Sequence, residues 1–284
     1  VRQGTVVTIH LPNCPQVVMA VYATAKLGAV CNMVHPQLTA EGLRSNMEFT
    51  ESKILITRAD FIEKIEADFA QTIISVNLDC QKKEQGNGIY FEALLTPCHE
   101  CAVFPEPDTL STACVCYLNS SGTTGMPKTV MLSHSAINEW SRSAEVYFKT
   151  HSKAPSELVW LSAVPPFHGM GFAATLHHVI SVGSKQVQMT RWNVDDAVRA
   201  IKENQINVLA GVPTMYSGLL RHEEFSGSMA SLRFCFVSGE RTDLQLKKAM
   251  IERFDEDVPL LDCYGLTETV ACRCVVDIKK YHPE

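Results

Sequence analysis

Short apolar runs alternate with segments of helical period along nearly the whole chain. That alternation predicts an α/β fold with mostly parallel sheets. Residues 6–11 read as a strand, Asn13 and Pro15 open a helix, and Gly28 closes it. A strand over 29–34, a helix capped by Thr39, a strand over 54–57, a helix near 60–70 and a strand over 72–76 follow. Residues 81–88 are polar and contain glycine, and 97–107 are proline-rich, so both read as loops. The pattern resumes with apolar runs at 114–118 and 130–132 and with strands near 158–164, 186–189, 208–211, 234–237 and 259–261. A boundary near residue 108 divides the chain into 1–108 and 109–284, with no internal repeat and no low-complexity segment.

Composition narrows the function classes. With 284 residues and 46% hydrophobic content, the chain can bury one large core or two smaller ones. The net charge of −6 comes without any Lys/Arg run, which argues against a nucleic-acid partner and against electrostatic membrane anchoring. No apolar stretch reaches the length of a transmembrane segment, and no secretory signal is visible. Eleven cysteines, an odd number without a disulfide-like framework, favour a reducing compartment, and a cytoplasmic location is expected. The spacing Cys98-His99-Glu100-Cys101, with Cys114 and Cys116 downstream, comes nearest to a metal motif. Cys114 and Cys116 read instead as one strand face, and a structural zinc would want a tighter second pair. The composition does not indicate an oligomeric state.

The densest chemistry lies in Tyr117-Leu118-Asn119-Ser120-Ser121-Gly122-Thr123-Thr124-Gly125-Met126-Pro127-Lys128, between two apolar runs. Glycines let backbone N–H groups converge on one point, hydroxyls add donors, and Lys128 supplies a compact cation. The loop suits a polyphosphate, although the pattern G-x-x-x-x-G-K-[ST] is absent. A second cluster, Cys263-Tyr264-Gly265-Leu266-Thr267-Glu268, follows the apolar run 258–261. It offers a flat ring for a purine and a carboxylate for Mg²⁺, although a strand end with a helix-capping Thr-Glu would look similar. His168, in Pro165-Pro166-Phe167-His168-Gly169, stands where the chain leaves a strand, the usual place for an active site in an open α/β sheet; a water-facing turn histidine is the plain alternative. Gly169-Met170-Gly171-Phe172-Ala173-Ala174 fits the dinucleotide fingerprint only in form, because Pro165-Pro166 intervenes after the strand and His177-His178 stands on the helix that follows.

Together the two clusters resemble the signatures of the adenylate-forming superfamily, which comprises acyl- and aryl-CoA synthetases, luciferases and peptide-synthetase adenylation domains. The acyl-CoA synthetases are the nearest in kind. The resemblance implies mostly parallel sheets flanked by helices on both faces, forming two similar subdomains of a large N-terminal domain. In that scheme 109–284 carries the phosphate loop. It implies ATP, Mg²⁺ and coenzyme A as ligands, and activation of a carboxylic acid to an acyl-adenylate before thioester formation, as in fatty acid metabolism. Ser120, Ser121, Gly122, Thr123, Thr124, Gly125 and Lys128 would hold phosphates, with Thr123 and Glu268 on Mg²⁺. Tyr264, Gly265 and Thr267 would meet the nucleotide, and Thr267 would donate to the α-phosphate. Ser238-Gly239-Glu240-Arg241 resembles an adenine-binding turn, but equally reads as a loop in which Thr242 caps the next helix. His168 would shape the approach of the carboxylate, and amino-acid-activating relatives carry an Asp there, so a plain carboxylic acid is the expected substrate. Val212, Met215 and Tyr216 border the acyl pocket in the family and are expected to serve mainly as core.

Two departures from the family pattern stand out. Thr129 follows Lys128 where most relatives have Gly, and the chain stops at Glu284, before the Thr-Gly-Asp element and the C-terminal lid domain with its catalytic Lys. The expectation is therefore a partial N-terminal domain that does not complete acyl-CoA synthesis alone. A non-catalytic ATP- and acyl-binding paralogue is the first alternative, and an NAD-dependent oxidoreductase a remote one.

Overall fold

The computed structural model describes all residues except 63–69, 79–88, 96–108, 121–127, 152–156, 226–228 and 281–284. It forms two compact units, Val1–Ser135 and Ala136–Glu284. The first unit is built on a seven-stranded sheet of β1 (Val6–His10), β2 (Val30–Met33), β3 (Ile54–Arg58), β4 (Thr72–Val76), β5 (Ile89–Tyr90), β6 (Cys114–Asn119) and β7 (Thr129–Ser133). Their order is β5-β4-β3-β1-β2-β6-β7, parallel throughout except for β7, which runs antiparallel to β6. The compact unit therefore ends after Ser135 rather than near 108. The apolar run 114–118 is a strand of the first sheet, paired with β2, and the chain bracketing the phosphate loop goes with it.

Local chemistry sets the helix ends of this unit. Helix α1 (Pro15–Lys26) starts with a proline in its first turn and ends before Gly28, which has φ 67°. Helix α2 (Ala40–Phe49) is capped by Thr39, whose hydroxyl accepts from Gly42 N–H at 3.1 Å. A short helix, α3 (Ala59–Ile62), follows β3; residues 63–69 of the predicted 60–70 helix lie outside the described residues, and Ala70 is not helical. Central β1 is buried over Val7–His10, as a strand covered on both faces must be.

The second unit opens within α4 (His134–His151) and carries β8 (Val159–Ser162), β9 (Lys185–Gln188), β10 (Val208–Gly211), β11 (Phe234–Val237), β12 (Leu260–Gly265) and β13 (Cys272–Asp277). The sheet order is β13-β12-β11-β10-β8-β9, parallel except for the β12–β13 pair. A π-helix over Met170–His178 leads into α5 (Val179–Ser181), and α6 (Val194–Asn204), α7 (Pro213–Arg221) and α8 (Leu244–Arg253) complete the unit. The helix after β11 is capped by Asp243, which accepts from Leu246 N–H at 2.7 Å, and not by Thr242. Thr242 instead donates to Asp262 at 3.2 Å. One apolar cluster, including Leu161, Ile201, Leu209, Tyr216, Leu219 and Met250, packs α6, α7 and α8 against the sheet. An aromatic cluster forms on Phe148, Trp160 and Phe234.

Candidate active site

In the first unit, residues 121–127 of the phosphate loop lie outside the described set, so Ser121, Gly122, Thr123, Thr124 and Gly125 cannot be placed. The neck of the loop is well defined. Ser120 N–H donates to Lys128 C=O at 2.8 Å, and Asn119 stands opposite Thr129 in the antiparallel β6–β7 pair. The Thr129 hydroxyl donates to Asn119 Oδ1 at 3.0 Å, and Thr129 has no left-handed backbone. A threonine in place of glycine therefore fits this position without strain and adds a tie across the neck. Lys128 is exposed at the mouth. A cavity of about 950 Å³ in this unit lies around the start of β1 and of β3; Tyr117 and Thr129 line it, and among the described residues no expected phosphate, nucleotide or metal ligand does.

In the second unit, the expected residues come together at the carboxyl ends of β8, β11 and β12. After β8 the chain turns through Pro165, whose C=O accepts from His168 N–H at 3.2 Å. Phe167 is buried and leaves His168 exposed, with the two rings 4.4 Å apart between centroids. The next residue decides how close this turn can come to β12. A Cβ on Gly169 would sit 2.5 Å from Val270 C=O and 3.7 Å from Thr267 Cα, so any other residue would force one of the two turns to shift. His168 is thereby held beside the Thr267–Val270 turn.

That turn is tight. Strand β12 runs through Gly265, four residues beyond the predicted end at 261, because β13 returns antiparallel along it. Gly265 is pressed against Ala271, where a Cβ would lie 1.9 Å from the carbonyl oxygen. Leu266 N–H donates to Thr269 Oγ1 at 3.0 Å, and Val270 takes φ 74° and ψ −54°. A β-branched residue at positive φ costs on the order of 1–3 kcal/mol, and the surrounding packing must hold it there. Val270 is buried, so its side chain is what the packing grips. Tyr264 and Glu268 are exposed on the outer side, and Thr267 is half-buried. The Thr-Glu pair is thus part of a short 3₁₀ turn and does not cap a long helix.

The turn after β11 is tied to its neighbours on both sides. Ser238 N–H donates to Gly211 C=O at 3.1 Å, and its hydroxyl donates to Cys263 C=O at 2.9 Å. Gly239 takes φ 92°, and Glu240 and Arg241 are exposed. Asp262, which the sequence analysis did not single out, pairs with Lys247 at 2.6 Å and accepts from Thr242, locking β12 to α8. Ser238, Gly169, Asp262 and Val270 are positioning residues. Of these, Gly169 carried a sequence signal as the glycine directly after the histidine, and Ser238 as the first residue of the turn that resembles an adenine-binding element; Asp262 and Val270 carried none.

Other expectations resolve as packing. Tyr216 is fully buried, and its hydroxyl lies 2.9 Å from both Leu209 C=O and Phe236 C=O, while Met215 is also buried. His178 is core: its Nδ1 is 2.9 Å from Ser141 Oγ, its ring stacks on Phe148, and burial lowers its pKa to about 4. The glycines of the apparent dinucleotide fingerprint are occupied by protein. A Cβ on Gly171 would lie 1.8 Å from Pro165 C=O, so the backbone there already has a neighbour where a pyrophosphate would have to enter. Cys98 and Cys101 lie outside the described residues, and among the described residues no group of three or more His, Cys, Asp or Glu side chains could hold a metal. Among those residues no helix is long and apolar enough to cross a membrane.

Comparison with known proteins places this arrangement. The chain is 28% identical over 268 residues to 2-succinylbenzoate–CoA ligase of Bacillus velezensis, covering 94% of this chain and 50% of the relative. It is 25% identical to long-chain-fatty-acid–CoA ligase of Bacillus subtilis, again over 94% of this chain and 51% of the relative. The chain thus spans about half the length of the curated relatives it matches. Among solved structures, O-succinylbenzoate coenzyme A synthetase from Bacillus subtilis in complex with ATP and magnesium ion superposes with a TM-score of 0.78. That alignment is at 23% identity over 98% of this chain and 53% of the other. ATP-bound MatB from Rhodopseudomonas palustris gives 0.83 at 20% identity, over 99% and 53%. Both share the fold of two helix-flanked sheets. The family profile described as AMP-binding enzyme matches residues 1–283, and the chain belongs to that family.

Proposed function

We propose that this chain binds ATP with Mg²⁺ and a carboxylic acid, and that the protein it represents joins them as an acyl-adenylate with release of pyrophosphate. In a chain as long as its relatives, the adenylate then passes to coenzyme A. The observation that supports this reading is the Gly169–Val270 contact, which brings the turn that carries His168 against the Thr267–Val270 turn at the carboxyl ends of parallel strands.

The reaction brings a carboxylate to the α-phosphorus of a polyanion, so positioning and charge neutralisation lower the barrier. Thr267 has a hydroxyl to donate to an α-phosphate oxygen, and His168 guides the carboxylate from the facing turn. The exposed ring of Tyr264 and the backbone of Gly239, Glu240 and Arg241 offer surfaces for the purine. The phosphate loop, with Thr123, Thr124 and Lys128, takes the β- and γ-phosphates. Glu268 is an exposed carboxylate beside a hydroxyl, an oxygen donor set that suits Mg²⁺. Mg²⁺ supplies neutralisation of phosphate charge when bound.

The relatives are ligases for different acids, 2-succinylbenzoate and long-chain fatty acids among them, and the acid taken here is a matter for assay. Because the chain spans half their length, binding is the part of the reaction expected of it alone. Titration calorimetry with Mg²⁺–ATP should show weak binding, about −5 kcal/mol or less favourable. Tight binding of NAD(P) with no response to ATP would overturn the reading.

A further inference from the structure

The helix that follows His168 is wound unusually wide. Met170–His178 is a π-helix of nine residues, continued by α5, whereas most π-helices are single-turn bulges inside α-helices, frequently at functional sites. The segment is buried along most of its length, so its backbone groups need partners within the protein. Thr175 is where those partners gather. Its hydroxyl donates to Gly171 C=O at 3.0 Å, a back-bond of the kind that bends helices. Its own C=O accepts from the Ser162 hydroxyl on β8 at 3.3 Å and from the Gln186 side-chain amide on β9. The same amide donates to Ser162 Oγ at 2.9 Å, and Gln188 Nε2 donates to Gln186 Oε1 at 3.0 Å, which satisfies the acceptor side of that amide. A chain of side-chain hydrogen bonds thus runs from the edge strand β9 across β8 to one carbonyl within the wide helix.

We propose that Gln186 is a positioning residue for the acid: through Thr175 it keeps this helix in π register and thereby holds His168 at the site. The proposal rests on the reading of His168 as the residue that guides the carboxylate. At the far end of the helix, His178 Nδ1 lies 2.9 Å from Ser141 Oγ, and at the near end Phe172 N–H donates to His168 C=O at 2.8 Å. Gly171 is pressed on Pro165 C=O and Gly169 on Val270 C=O, contacts that belong to the present register.

An α turn closes one residue sooner than a π turn. With the grip on Thr175 lost and the helix tightened, residues 169–174 would rotate against the sheet while His178 stayed fixed. The close approach of Gly169 to Val270 would open, and His168 would move with it.

The test has two arms. In this chain, the histidine ring carbons are labelled, and the His168 signal is identified by its loss in His168→Asn. Gln186→Leu removes the amide donors at similar side-chain size and should shift the His168 Cε1–H signal, leaving those of His10 and His35 in the first unit unchanged. Ser162→Ala removes the other donor to Thr175 and should shift the signal the same way, so this arm stands even if the leucine variant does not fold. In a chain of the relatives' full length, Gln186→Leu should raise the KM for the acid about tenfold in pyrophosphate exchange, while the KM for ATP stays within about twofold. A Gln186 that only stabilises the sheet would lower the urea midpoint and leave the His168 signal and the ratio of the two KM values alone; that result overturns the proposal. An unshifted His168 signal in both variants overturns it as well. Absence of exchange by the parent with every acid contradicts the proposed function instead, and the His168 signal then still decides whether Gln186 positions that residue.

Discussion

Replacing Gly169 with alanine sets two physical effects against each other. Gly169 has helical dihedrals, φ −52° and ψ −45°, so an alanine there should stabilise by up to about 1 kcal/mol on propensity alone. The added Cβ, however, would lie 2.5 Å from Val270 C=O. The obstructing atom is backbone and cannot rotate away, so one of the two turns must shift by close to an ångström. Overpacking of this kind costs about 1–3 kcal/mol, and the expected net change is a loss of about 1–2 kcal/mol. All three tryptophans, Trp140, Trp160 and Trp192, lie in the second unit, so urea unfolding followed by tryptophan fluorescence reports on that unit. The partner substitution Val270→Gly removes strain worth about 1–3 kcal/mol and a buried side chain worth about 1.5–3 kcal/mol. It should therefore be neutral to mildly destabilising. In that background Gly169→Ala should cost less than it does alone, because the obstructing backbone is free to move. An alanine variant more stable than the parent, or strict additivity in the double variant, would refute the close approach that sets His168 beside Thr267.

Further outcomes follow from the same structure. Burial lowers the pKa of His178 to about 4 from its ordinary 6.5, so the folded state resists a proton that the unfolded chain accepts. Stability of the second unit should be full above pH 6.5 and fall progressively toward pH 4, by roughly 3 kcal/mol for this group. His178→Gln should flatten that slope, and an unchanged slope would show that His178 is not the group responsible. Tyr216→Phe removes the single buried O–H shared between Leu209 C=O and Phe236 C=O and should cost about 1–2 kcal/mol in urea unfolding without changing Mg²⁺–ATP affinity. Asp243→Ala removes the cap of α8 and should cost about 1 kcal/mol, whereas Thr242→Val should leave the helix start intact.

Most of the strand pattern could be read from the sequence because central parallel strands are buried on both faces. The runs at 6–11, 54–57, 72–76, 208–211 and 234–237 all became strands with nearly the predicted limits. What could not be read depends on pairing between distant segments. Nothing local to 114–118 says that it joins β2, so the compact unit ends after Ser135 instead of near 108. The extension of β12 through Gly265 depends on β13 returning beside it, and no apolar run marks that. At the site, His168 and the Tyr264–Glu268 segment announced themselves by residue type. The contacts that bring them together involve backbone oxygens of Val270 and Ala271 and the hydroxyl of Ser238, which have no compositional signature. The cap at Asp243 was misread because Thr242 and Asp243 are adjacent and both are good caps; the carboxylate of Asp262 draws the threonine away.

Acid-dependent exchange of labelled pyrophosphate into ATP, measured on a chain of the relatives' full length that contains these residues, tests adenylate formation most directly. At least one member of a panel of short, long-chain and aromatic carboxylic acids should support exchange. Glu268→Gln and Lys128→Ala should each slow it by tenfold or more, about 1.4 kcal/mol of barrier, while the urea midpoint stays unchanged. Exchange at the parent rate in both variants, or no exchange with any acid by a chain that binds Mg²⁺–ATP, would contradict the account.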